Sequence, residues 1–199
     1  MFWDKVSSVY DFFLNAFNHK VFRETGIKVS EFIEPSDEVL ECACGTGEIS
    51  KFIAQKCSKL TATDFSYGML KHAQKKCRAY TNIQFLNADI TTLNFSDASF
   101  NKAVAGNVIH LLSEPQKALS ELERVVKKGG KLIIPTYINM SKKSGRLAAK
   151  LIQKLGAGFK RQFDFESYKK FFSDLGYKNV EYSVVEGRMP CAVAVISIE

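Results

Sequence analysis

From residue 38 onward, short apolar runs alternate with stretches whose apolar residues recur every three or four positions, the pattern of an α/β protein. The runs 38–43, 60–63, 83–86, 100–105 and 131–136 predict five strands, the second ending on Asp64, the third near Asp89 and the fourth just before Asn107. Helices are predicted through Phe52, Ile53 and Lys56, and over 67–79 with Met69, Leu70 and Ala73 facing inward. A further helix through Leu119, Leu122, Val125 and Val126 is expected to stop at Gly129-Gly130. Upstream, Phe2, Val6, Val9, Phe13 and Phe17 recur at steps of three and four, giving an amphipathic helix expected to cap the ligand end of the sheet. Downstream, a helix over 165–175 closed by Gly176 precedes two β-rich runs, 179–185 and 191–198, which read as an antiparallel pair closing the sheet.

The bulk numbers add limits to this picture. A chain of 199 residues, 46% hydrophobic and 25% charged, is large enough to bury one substantial core, so one domain is expected. No segment reaches the roughly 18 apolar residues of a membrane span, and the start has no basic stretch followed by an apolar run, so a cytoplasmic protein is expected. Five cysteines point to reduced thiols, and Cys42-x-Cys44 lacks both zinc spacing and a second ligand pair, so no metal is expected.

The net charge of +7 has a location. Lys142, Lys143, Arg146, Lys150, Lys154, Lys160 and Arg161 lie together with no acidic residue among them, and the other 21 basic residues balance 21 acidic ones. Lys143, Arg146, Lys150 and Lys154 follow helical steps beside a row of Leu147, Leu151 and Leu155. A cationic amphipathic helix of this kind serves as a solvated surface, a lid for an anionic substrate, or a contact with a membrane surface.

The chemistry concentrates in Glu41-Cys42-Ala43-Cys44-Gly45-Thr46-Gly47, at the exit of the first strand. Open α/β sheets bind ligands beyond the carboxyl ends of their strands, and Asp64 stands about 20 residues on, where a carboxylate reaches a ribose. A dinucleotide fingerprint would need a third glycine where this chain has Ser50, and Glu48 would place a carboxylate where pyrophosphate sits. A cationic cofactor without phosphate suits acidic groups such as Glu41 beside the turn.

The stretch from Glu38 onward resembles the class I S-adenosylmethionine-dependent methyltransferases, small-molecule type. Residues 39–47 are similar to that family's first motif, 64–70 to its second, 87–90 to its third, and 107–112 and 122–132 to its fourth-strand exit and following turn. Phe2-Trp3-Asp4-Lys5, Tyr10-Asp11 and residues 19–23 faintly resemble the quinone-biosynthesis branch. The resemblance implies a Rossmann-like seven-stranded, mostly parallel sheet with helices on both faces and an antiparallel last strand. It divides the single domain into a helical cap (1–35), a cofactor-binding core (36–137), a basic lid insertion (138–163) and a C-terminal helix and strand pair (164–199).

It further implies S-adenosylmethionine as cofactor and S-adenosylhomocysteine as product. Contacts to the cofactor would come from Glu41, Ala43, Gly45, Gly47, Asp64, Phe65, Met69, Asp89, Ile90 and Asn107, with Asp64 on the ribose, Met69 and Asp89 at the adenine and Asn107 at the methionine part. The family usually has glycine at the place of Ala43, whose methyl group crowds the methionine end. His110 is the first candidate for a general base, and Tyr10, His110 and Tyr137 are candidates for the substrate pocket. The expected acceptor is a small or lipid-like molecule, anionic if the basic segment is a lid. DNA is disfavoured, because Asn107 is followed by Val108-Ile109 and not by Pro-Pro-aromatic, and no Pro-Cys pair occurs there. RNA methylation has no aromatic single-strand motif behind it, and a non-catalytic cofactor-binding protein would read the same.

Overall fold

The computed structural model describes residues 2–139 and 160–199. The cationic segment with Lys143, Arg146, Lys150 and Lys154 lies outside the described residues, as does the side chain of Tyr10.

Seven strands form one sheet: β1 (Glu38–Cys42), β2 (Lys59–Asp64), β3 (Ile83–Asn87), β4 (Phe100–Ala105), β5 (Val126–Tyr137), β6 (Val180–Val185) and β7 (Cys191–Ser197), in the order β3-β2-β1-β4-β5-β7-β6. β1 through β5 pair in parallel, and β7 enters antiparallel between β5 and β6. Strand order reverses between β1 and β4, which leaves a crevice at their carboxyl ends.

The strands sort their side chains by the two-residue period of the pleat, and both faces are apolar. Leu40, Ala103, Leu132, Ile134 and Ala194 point into one core with α4 (Pro115–Val125) and α5 (Phe165–Asp174). Val39, Val104, Ile133, Val193 and Val195 point into the other, against α1 (Phe2–Ser30), α2 (Ser50–Ala54) and α3 (Tyr67–Lys76). α4 starts on Pro115, whose missing N–H is harmless in the first turn. α5 starts in a capping box, where Asp164 Oδ1 accepts from Ser167 N at 2.8 Å and Ser167 Oγ accepts from Asp164 N at 2.9 Å.

Two elements differ from the sequence expectation. α4 ends at Val125, short of the glycine pair, and Val126 already has extended backbone and pairs with Phe100. Gly129 and Gly130 lie inside β5, where the register to β4 shifts. The first helix runs on to Ser30, but Asn18 has non-helical dihedrals (φ −151°, ψ 24°). Its buried amide explains the break, because Nδ2 donates to Met189 O at 2.9 Å and Oδ1 accepts from Met189 N at 3.3 Å, tying the kink to the β6–β7 turn.

Far from the crevice, Lys102 on β4 reaches Asp37 at 2.6 Å with both side chains nearly buried. Among the described residues no helix is long and apolar enough to cross a membrane.

Candidate functional site

The crevice is built around the turn that follows β1. Ala43, Gly45 and Gly47 all have positive φ, at 54°, 55° and 83°. A side chain is strained in that region, and glycine is not. The two glycines face different surroundings. A Cβ on Gly45 would meet nothing within 4 Å, whereas one on Gly47 would lie 3.0 Å from Cys77 Sγ and 3.2 Å from Ala73 Cα on α3. Gly47 therefore lets the turn pack on α3, and Gly45 keeps its outer surface open to a ligand.

Asp64, the last residue of β2, holds the turn in place. Its Oδ2 accepts from Gly45 N at 2.8 Å and its Oδ1 from Ser66 N at 2.8 Å. Burial raises its pKa, opposed by those two backbone donors. Each oxygen keeps a lone pair for a further donor, such as a ribose hydroxyl. Phe65 is 53% exposed beside it.

The amino-terminal helix reaches the same loop. Asp4 Oδ1 accepts from Ser66 Oγ at 2.6 Å and from Gly68 N at 3.0 Å, and these bonds hold the carboxyl below its ordinary pKa. Ser66 Oγ in turn accepts from Met69 N and caps α3. Asp4 and Ser66 thus tie the first helix to the loop after β2, a contact that the sequence reading did not single out.

Asp89 is exposed in the loop after β3, its Oδ1 accepting from Thr91 N at 2.8 Å and Thr91 Oγ1 at 2.7 Å, while Ile90 is buried. Asn107 follows β4 with φ 54° and bridges strands: its N donates to Pro135 O and its Oδ1 accepts from Tyr137 N at 3.0 Å. Its carbonyl oxygen thus already has a structural partner at the expected methionine end. Met69 is only 3% exposed and packs inside.

His110 sits in a single 3₁₀ turn (Ile109–Leu111) and is 5% exposed. Burial lowers its pKa to about 4, so the imidazole is neutral at pH 7. Its carbonyl accepts from Lys160 N and Arg161 N, at the point where the chain returns from the basic segment. Tyr137 ends β5 and meets Phe22 of α1 edge-on at 5.5 Å.

Glu41 is buried one strand position before Cys42, with no hydrogen-bond partner for Oε2. Glu48 corrects one argument made from the sequence. Burial opposes its charge, but hydrogen bonds from Lys51 at 2.6 Å and from Lys76 outweigh it and keep the carboxyl below its ordinary pKa. A carboxylate compensated by two lysines is no barrier to an anion, so the case against pyrophosphate rests on Ser50, which is fully buried where a third glycine would stand.

The methyltransferase domain family matches residues 40–134, which covers the turn, β2, β3, β4 and most of β5. The chain is 33% identical over 137 residues to a demethylmenaquinone methyltransferase of Clavibacter sepedonicus, a match over 66% of this chain and 55% of that one. It is 33% identical over 138 residues to a ubiquinone/menaquinone biosynthesis C-methyltransferase of Bdellovibrio bacteriovorus, over 66% of this chain and 58% of that one. The chain spans about half the length of the curated relatives it matches. A crystal structure of an S-adenosylmethionine-dependent methyltransferase of Thermotoga maritima superposes with a TM-score of 0.77 over 100% of this chain and 98% of that one, at 19% identity, which speaks for the fold.

The core of the chain is thus similar to the class I S-adenosylmethionine-dependent methyltransferases.

The family's cofactor fits the residues present. The open surface over Gly45, a ring of positive-φ residues presenting backbone, the accepting carboxylate of Asp64 and the orphaned carboxyl oxygen of Glu41 suit an adenosine joined to a cationic methionine. The chain keeps two of the three small positions of the turn as glycine and fills the first with Ala43 in a glycine conformation.

Proposed function

We propose that this chain transfers a methyl group from S-adenosylmethionine to a carbon of a small, quinone-like ring acceptor. The observation that carries the reading is the junction of Asp64 with Gly45 at the open turn, and the quinone-biosynthesis relatives support the acceptor class. When bound, the cofactor supplies an electrophilic methyl group on a sulfonium and leaves as S-adenosylhomocysteine. The acceptor carbon forms the new C–C bond as the C–S bond breaks with its electron pair going to sulfur, and the ring then loses a proton.

The chain's own residues position and shield. Asp64 and Asp89 hold the adenosine, Phe65 covers the base, and α1, latched through Asp4, closes the crevice against water. His110 is neutral at pH 7 and accepts the acceptor's proton, with Tyr137 as a pocket wall. Asn107, fixed by β5, holds the methionine end through its amide NH₂. Lys143, Arg146, Lys150 and Lys154 support an acceptor, or a surface carrying it, of negative charge.

The test is to incubate the protein with methyl-labelled S-adenosylmethionine and either a demethylated naphthoquinol or cell extract partitioned into lipid, small-molecule, protein and RNA fractions. Label in the naphthoquinol or the lipid fraction is the expected result. Label confined to RNA or protein refutes the acceptor class, and cofactor binding without any transfer refutes catalysis.

A further inference from the structure

The outward face of α3 carries charge of one sign. Between Asp64 and Asp89 the chain has four basic residues, Lys71, Lys75, Lys76 and Arg78, together with His72 and no acidic residue. Met69, Leu70 and Ala73 turn the other side of the helix into the core, so Tyr67, Lys71 and Lys75, at steps of four, and Arg78 just past the last turn form one exposed stripe. Like charges at such steps destabilise a helix. The neighbouring helices use the same steps to pair opposite charges: Lys20 with Glu24 on α1, Arg124 with Glu121 on α4, and Lys169 with Glu166 and Lys170 with Asp174 on α5.

Among the described residues nothing neutralises this stripe. Of the acids that reach α3, Glu48 bonds Lys51 and Lys76, and Asp4 bonds Ser66 and Gly68. Lys71, Lys75 and Arg78 have no hydrogen bond or ion pair to any described residue. Around the last turn, His72, Lys75, Lys76 and Arg78 line a groove of about 460 Å³ that has no acidic side chain in its wall. At the other end of the stripe the Tyr67 ring is 73% exposed, one of two large hydrophobic side chains so placed among the described residues. The cofactor's base gives the second, Phe65, a partner, and leaves Tyr67 without one.

A straight row of cations ending in an exposed aromatic ring matches a plane of negative charge with an apolar interior beneath it. A nucleic-acid strand asks instead for a channel walled by several rings, and the groove on α3 has no aromatic side chain in its wall. We propose that α3 docks this protein on an anionic phospholipid surface: Lys71, Lys75 and Arg78 lie against the headgroups, a headgroup phosphate sits between His72, Lys75, Lys76 and Arg78, and the Tyr67 ring enters the interfacial layer. The first turn of α3 is capped by Ser66, which also bonds Asp64 at the crevice, so docking brings the crevice mouth to the lipid. The proposal deepens the acceptor reading given above, and only its purpose rests on that reading: a ring acceptor with an apolar tail reaches the site from the bilayer. The surface is separate from the cationic segment of Lys143, Arg146, Lys150 and Lys154.

Co-sedimentation of the full chain with vesicles of phosphatidylglycerol and phosphatidylcholine in equal parts tests this without cofactor or acceptor, so its failure leaves the acceptor reading standing. Wild type should bind these vesicles, ignore pure phosphatidylcholine, and be released by salt at about 0.5 M. Replacing Lys71, Lys75 and Arg78 together by Gln should lower the partition coefficient on the order of a hundredfold, whereas the same change at Lys143, Arg146, Lys150 and Lys154 leaves binding through α3 in place. Circular dichroism of the triple variant shows whether it is folded. Trp3, the chain's one tryptophan, adjoins Asp4, whose carboxylate accepts from Gly68 N beside Tyr67, so lipid spin-labelled at the headgroup should quench its fluorescence in wild type whatever the variants do. Absence of vesicle binding, binding that survives the triple substitution, or binding that leaves Trp3 unquenched overturns the proposal. So does single-stranded RNA that wild type binds and the triple variant does not, if the vesicles are ignored.

Discussion

Adding one methyl group at Gly45 and, separately, at Gly47 divides ligand space from packing space within a single turn. In Gly45→Ala the backbone stays at φ 55°, where an L-residue costs roughly 1–2 kcal/mol. Restriction of the unfolded chain returns about 0.4–1 kcal/mol, leaving a net loss near ~0.5–1 kcal/mol and a Tm lower by about 1–4 °C for a chain of this size. Ala43 at φ 54° shows that the turn tolerates such a residue. In Gly47→Ala the same strain is joined by a Cβ 3.0 Å from Cys77 Sγ and 3.2 Å from the α3 backbone. Overpacking adds about 1–3 kcal/mol, for a total of roughly 2–4 kcal/mol and a Tm lower by about 5–15 °C. Thermal unfolding paired with calorimetric titration of S-adenosylhomocysteine separates the two. Gly45→Ala should stay folded and lose at least about tenfold in affinity, roughly 1.4 kcal/mol, because its methyl enters the space the ligand needs. Gly45→Ala that binds as tightly as wild type would refute the assignment of that space.

Four further outcomes follow from the same geometry. Glu41 binds its proton more tightly folded than unfolded, so its stabilising contribution is complete below pH 4.5 and is lost as pH rises toward 8. Urea unfolding of the free protein should therefore find Glu41→Gln more stable than wild type at pH 7.5, by on the order of 3 kcal/mol, with the difference gone near pH 4.5. Lys102→Met leaves Asp37 buried without its cation, with Glu34 N still donating to its Oδ2 at 2.7 Å, and should lower urea stability by about 3–5 kcal/mol, whereas replacing both partners by apolar residues should recover much of that loss. Asp4→Ala frees the first helix from Ser66 and Gly68, so amide exchange at Gly68 and Met69 should accelerate and KM for the cofactor rise with little change in kcat. His110, with its pKa lowered to about 4, should impose no inflection on kcat/KM between pH 6 and 8, and an inflection near 6.5 that disappears in His110→Gln would contradict its burial.

The core of the fold was legible because β1 and β4, at its centre, are short apolar runs buried on both faces. Residues 100–105 were read as the strand observed, and the β1 turn was readable because its glycines and Asp64 are spaced as a ligand loop requires. The end of α4 was misplaced for a local reason: Gly129-Gly130 signals a helix stop, yet the β-branched pair Val125-Val126 had already turned the chain into β5. The kink of α1 at Asn18 was missed because it depends on Met189, 171 residues away. The latch from Asp4 to Ser66 spans 62 residues and leaves no periodic trace. Glu48 misled because its charge is balanced by Lys51 nearby and by Lys76, 28 residues on in α3. Pattern carries elements, and long-range polar pairing completes the site.

Equilibrium dialysis of methyl-labelled S-adenosylmethionine against wild type and Asp64→Ala tests the central claim most directly. The account predicts saturable binding of one equivalent by wild type and a loss of at least about tenfold in affinity in the variant. Wild type that fails to bind, or a variant that binds equally well, would contradict it.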